Sequence, residues 1–152
     1  MAIARGPGTE IIRTVLADDI DSTWTNLIYG VRHHIYTVLS VIICAETWQA
    51  AGNYAKLVIT GYDAKGGTAQ AGIQIFRQDM NAQETFIWND KFSFNGYEPV
   101  DFTGPIDSEA KQDAIADQLV SGDSNRQVLA LNTENASDSA HVICTYIDQN
   151  NA

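Results

Sequence analysis

The segment IYTVLSVIIC, residues 35–44, decides the fold: as an extended strand it is largely apolar on both faces, interrupted only by Thr37 and Ser40. Alternating polar and apolar residues would mark a strand with one wet face, so a strand apolar on both sides belongs in the middle of a sheet or under a neighbouring subunit. Its outer face is therefore an expected interface. The run is far shorter than the roughly 20 residues a membrane helix requires, so no span and no membrane partner are expected.

Outward from this segment, short β-rich runs recur between turn residues. The pattern predicts strands at Glu10–Leu16, Thr23–Tyr29, Ile35–Cys44, Ala55–Tyr62, Ala69–Arg77, Glu84–Trp88, Lys91–Phe94, Arg126–Leu131 and Ala140–Ile147. Leu57 and Ile59 should share one face, opposite Lys56 and Thr60, and Ile73 and Ile75 should share another, opposite Gln74. Two turns are chemically explicit. Asp63-Ala-Lys-Gly-Gly supplies positive-φ positions, and Asn89-Asp90 separates two short aromatic strands; both read as hairpins. This rhythm is that of an all-β sandwich.

The stretch Asn95 to Gly122 breaks the rhythm with Gly96, Pro99, Gly104 and Pro105. Within it Ala110, Ala114, Ile115 and Leu119 repeat at helical spacing, Ser108 can cap the start and Gly122 the end. One short helix is expected there, as an insertion at about 95–122 in a single domain spanning 9–152. Residues 1–8, with two Gly and one Pro, are expected to form a flexible N-terminal arm, mobile or ordered by a partner.

Composition limits the functions available. The 152 residues carry a formal net charge of −10, with 45% hydrophobic and 18% charged residues, so the chain is globular and has no basic surface for a phosphate backbone. Nucleic-acid binding is not expected. The start, MAIARGPGTE, contains no apolar signal core, so the chain is expected to stay where it is made until it assembles. Cys44 and Cys144 lie a hundred positions apart in strand-like runs and match no metal or redox spacing, so packed, reduced thiols are expected.

No reactive constellation emerges. Asp18-Asp19-Ile20-Asp21 could offer oxygens to calcium, but it lacks the Gly and distal Glu of an EF-hand and reads as a solvated turn. His33 and His34 face opposite sides of an extended chain, and His141 is remote, so no zinc site is signalled. There is no G-x-S-x-G elbow, and DAKGG lacks the flanking residues of a phosphate loop. Phe86, Trp88, Phe92, Phe94 and Tyr97 could form a sugar-stacking platform, though their alternation fits a core. Asn135-Ala-Ser is a glycosylation triplet without a secretion signal. The expectation is a protein without catalytic, cofactor-binding or metal-binding residues, and not an enzyme.

The series IYTVLSVIICAET, AKLVITGYD, AGIQIFRQ and QETFIWNDKFSF, closed by SGDSNRQVLALNTENASDSAHVICTYID, resembles small bacteriophage virion proteins that decorate capsids or sit on tails. The resemblance covers about Ile35 to Asp148, outside the insertion. It implies a jelly-roll-like antiparallel sandwich acting as a capsid cement protein, commonly trimeric, bound to the major capsid protein on the virion surface. The alternative it leaves is a tail or head-fibre module that binds a host glycan through Trp24, Trp48 or Trp88.

Overall fold

The computed structural model describes residues 8–63, 68–97, 105, 107–110, 112 and 126–150. Among them are nine strands: β1 (Thr9–Ile20), β2 (Thr25–Tyr29), β3 (His34–Thr47), β4 (Tyr54–Asp63), β5 (Thr68–Asp79), β6 (Thr85–Trp88), β7 (Phe92–Asn95), β8 (Val128–Thr133) and β9 (Ser139–Asn150). No helix among the described residues is long and apolar enough to cross a membrane.

The strands form two antiparallel sheets. One has the order β1-β9-β3-β6, with β7 also on β3; the other has the order β2-β8-β4-β5. Strands β6 and β7 are not a hairpin, contrary to the reading of Asn89-Asp90. Both run alongside β3 in the same direction, with Thr85–Trp88 opposite Cys44–Val41 and Phe92–Asn95 opposite Val38–Ile35. They are one edge strand broken at residues 89–91. The break lies opposite Leu39, where β3 itself bulges against β9 between Val38 and Ser40.

With β6 and β7 counted as a single strand, the chain pairs first with last, second with next-to-last, and so inward to the β4–β5 hairpin. A long hairpin rolled in this way into two sheets is a jelly roll. The fold is an antiparallel β-sandwich of that type. The β4–β5 hairpin forms as expected, with Asp63 paired to Thr68, while its turn, residues 64–67, lies outside the described residues.

The bulge at Leu39 explains the two-sided apolar character of β3. Tyr36 and Val38 face the core before it, and Val41, Ile43 and Ala45 face the core after it, so the inward set changes parity. Leu27, Leu57, Phe76, Leu129 and Leu131 meet them from the other sheet. The aromatic series belongs to this core: Phe76 lies 5.1 Å from Phe86 and 5.2 Å from Trp88, and Tyr36 lies 5.4 Å from Phe94 (ring centroids). Of the alternation readings one holds and one fails: Leu57 and Ile59 both pack on the core, whereas an extra residue, Ile75, at a bulge of β5 opposite Leu57 and Val58 packs inward while Ile73 is exposed.

Strand β1 runs further than expected. Asp18 and Asp19 are in it, at a bulge between Ala17 and Ile20 where Asp19 takes φ 51°, and Ile20 is fully buried. The acidic stretch is therefore not a solvated turn. Of the insertion, residues 109, 110 and 112 are helical, and Gln112 N–H donates to the Ser108 carbonyl at 3.1 Å, so the helix begins at the expected cap. Its remainder lies outside the described residues. So do residues 1–7 of the arm; Gly8 N–H donates to the Asn150 carbonyl beside the first pair of the β1–β9 ladder.

Candidate functional site

Cross-strand partners share a face, so the registers give the outward side of the β1-β9-β3-β6/β7 sheet row by row. One row is Leu16, Ile143, Ile42 and Ile87; another is Ile12, Ile147, Thr37 and Ser93; between them lie Thr14, Thr145 and Ser40. None of these side chains is charged. Ile12 and Leu16 are 70% and 72% exposed, Ile87 53% and Ile143 40%. The hydroxyls bond mainly to each other: Thr37 Oγ1 lies 2.9 Å from Ser93 Oγ. In a chain of net charge −10, three adjacent charge-free rows spanning the sheet, between the outer rows that carry Glu10 and His141, form a surface that lacks a structural reason to meet water.

The expected outer-face interface of β3 thus lies within a wider surface that includes β1, β9 and β6. What sequence reading missed is the contribution of β1, whose Ile12 and Leu16 are the most exposed members. Their even spacing in EIIRTVLAD was the available signal.

One end of this sheet is held by a polar clamp. Asp148, itself buried, takes Arg13 Nε on Oδ2 at 3.0 Å and His34 Nδ1 on Oδ1 at 2.6 Å, tying β1, β9 and β3 together. Tyr36 lies beneath, its phenol accepting from Val31 N–H at 3.1 Å. Burial, reinforced by the Asp148 charge, pushes the Tyr36 hydroxyl up to about 12. Both Asp148 oxygens are engaged by cationic or ring nitrogen partners, which makes this a structural joint. His33 sits before it in a turn at φ 63°.

At the other end, Asp138 accepts from Gln49 N–H at 2.7 Å and Asn135 N–H at 3.0 Å, fixing the loop that contains Asn135-Ala-Ser. Asp18, Glu46 and His141 meet at the corner of the charge-free face, a grouping across β1, β3 and β9 that sequence spacing does not bring together.

The two cysteines are free and lie on opposite faces: Cys144 opposite Val41 points into the core, and Cys44 opposite His141 points outward. Burial pushes the Cys144 thiol up to about 12. We therefore expect a thiol reagent to label Cys44 and not Cys144 in the native chain, with Cys44→Ser removing native labelling and denaturant exposing the second thiol. An unfolded thiol ionises near 9 and an unfolded phenol near 10, whereas Cys144 and Tyr36 stay protonated in the fold to about 12. Their contribution to stability is complete below pH 9 and is lost as pH rises from 9 to 12. Thermal midpoints measured across that range should fall steadily.

Of the tryptophans, Trp88 faces the core and Trp48 is half-buried with Nε1 donating to the Asn53 carbonyl at 3.0 Å. Trp24 is 45% exposed beneath Lys56, whose Nζ lies 5.6 Å from the ring centroid. The aromatic series does not form a surface platform.

No protein-family model matches this chain, and neither does any curated protein. Among solved structures it is similar to a Bacillus endospore appendage described as a disulfide-linked pilus, at 14% identity and a TM-score of 0.42, over 100% of this chain and 97% of that one. It is also similar to the infectious bursal disease virus T13 particle protein, at 8% identity and a TM-score of 0.39, over 99% of this chain and 37% of that one. A further infectious bursal disease virus structure, the Gx strain, gives 8% identity and a TM-score of 0.38, over 97% of this chain and 35% of that one.

Proposed function

We propose that the chain is a non-catalytic structural protein of a virion, a decoration protein that docks on the outer capsid surface and stabilises contacts between major capsid proteins. The observation that carries this is the three uncharged central rows on the outward face of the β1-β9-β3-β6/β7 sheet, with Ile12, Leu16 and Ile87 more than half exposed. Each exposed isoleucine or leucine contributes about 1.5–3 kcal/mol when fully buried, so two rows of them supply enough for a stable protein contact once orientation costs are met. The acidic remainder keeps closely spaced copies from aggregating while leaving this face free to bind.

In this reading the sandwich is a rigid spacer, and repetition around the particle multiplies a modest single contact. The chain associates as a trimer, and the arm, residues 1–8, adds a contact that forms on assembly. The rival reading is a tail or head-fibre module that binds a host glycan, for which Trp24 is the exposed tryptophan among Trp24, Trp48 and Trp88.

The test is co-sedimentation of the purified chain with capsids of its own virus assembled without it, alongside light scattering of the free chain and a glycan array. Saturable binding at fixed stoichiometry with a blank array is the expected result. Glycan binding without capsid affinity would replace this proposal with the rival.

A further inference from the structure

Three side chains separated by up to 123 positions converge where β1 and β3 end and β9 begins: Asp18, Glu46 and His141. Their ligand atoms all lie within 4.8 Å of one another. His141 Nδ1 contacts Asp18 Oδ1, and Nε2 lies 3.0 Å from Glu46 Oε2. A neutral imidazole carries one N–H, so of these two contacts only one can be a hydrogen bond. The other sets a nitrogen lone pair against a carboxylate oxygen. That arrangement calls for a positive centre, either a second proton on the imidazole or a metal ion.

The surroundings favour a cation. Among the described residues no lysine or arginine pairs with Asp18 or Glu46. Ser139 Oγ lies 3.2 Å from Asp19 Oδ1 and 3.4 Å from Glu46 Oε2 and can give its one proton to either, which places a further carboxylate beside the cluster. The side chains are 69% (Asp18), 50% (Glu46) and 42% (His141) exposed, so a hydrated ion can reach them and retain water at its remaining positions.

We propose that Asp18, Glu46 and His141 bind a divalent transition cation of the zinc class. The nitrogen donor decides the class: imidazole with two carboxylates suits zinc and its neighbours, whereas calcium and magnesium prefer all-oxygen sets. Asp18 comes from the acidic stretch whose oxygens alone gave no metal motif; the fold supplies the missing donors from β3 and β9. The site is independent of the docking face and stands whether or not that face binds a capsid.

The experiment is calorimetric titration of the full chain, stripped with chelator and carrying Cys44→Ser to remove the outward thiol, with zinc chloride in about 0.15 M salt. One equivalent is expected to bind, and His141→Gln and Asp18→Asn should each weaken it about 10-fold or more. Calcium chloride should give no saturable uptake. Zinc should raise the thermal midpoint of the parent and not of His141→Gln, a comparison that also shows the variants fold. Absence of saturable zinc uptake would assign the cluster to a proton-bridged ion triad and overturn the proposal. Equal affinity in both variants would do the same, by placing the ion elsewhere, for instance on His33 or His34.

Discussion

A Gly96→Ala variant is expected to melt roughly 10 °C below the parent chain. Gly96 follows β7, and a Cβ there would overlap the Val31 carbonyl oxygen and lie 2.7 Å from Val31 N. Both are backbone atoms, which cannot swing aside as a side chain would. Gly30, after β2, is in the same position against the carbonyl oxygens of Gly96 and Gln127.

The close approach is what joins the two sheets at this corner. Gly30 N–H donates to the Gln127 carbonyl at 2.9 Å, Gln127 N–H to the Gly96 carbonyl at 2.9 Å, and Gly96 N–H to the His34 carbonyl at 2.8 Å. The chain of bonds runs from β2 and β8 in one sheet to β7 and β3 in the other. Overpacking costs about 1–3 kcal/mol, and each backbone bond lost adds about 1 kcal/mol. At about 2–4 °C per kcal/mol for a domain of this size, the sum gives the stated shift. Thermal unfolding by circular dichroism measures it, and an unchanged midpoint would mean that the corner opens freely and is not the joint described.

That corner also shows where sequence reading reaches its limit. All nine strands are legible, because alternation and turn residues are local signals and the core needs little else. Gly96 was legible only as a break in rhythm; its reason is a backbone from another sheet. Asn89-Asp90 carries the composition of a hairpin turn, yet whether β6 and β7 fold back or run on is decided by the bulge at Leu39 opposite. No local signal could report that. Ile20 was hidden among aspartates because a bulge, by adding one residue, reverses which side chains face inward.

The polar groupings were less legible still. Asp148 meets His34 across 114 positions and Arg13 across 135, and His141 meets Asp18 through the same β1–β9 ladder. Such pairs depend on register, which is fixed by the whole sandwich. The proposed docking face lay between these extremes: Thr37, Ser40 and Ile42 are written in residues 35–44, and the rest appears only when β1, β9, β6 and β7 are placed beside β3.

Placing a carboxylate at each side of that face should abolish docking while leaving the fold intact. Leu16 on β1 and Ile87 on β6 are 72% and 53% exposed, so Leu16→Glu with Ile87→Glu removes little packing, and the thermal midpoint should move by only a few degrees. Against a partner the same changes act twice. They delete two apolar contacts, each contributing on the order of 1 kcal/mol or more, and they bring two unpaired charges out of water. A combined loss of about 3 kcal/mol is roughly 100-fold in affinity, and repetition around a particle amplifies it. The matched control is Ile73→Glu with Asn26→Glu, two exposed residues on β5 and β2 of the other sheet. Equal charge is added there, so general repulsion from an already acidic protein is held constant, and capsid occupancy should persist. If both proteins still decorate the particle, the contact lies on another surface; if both fail, net charge governs binding and the apolar face does not.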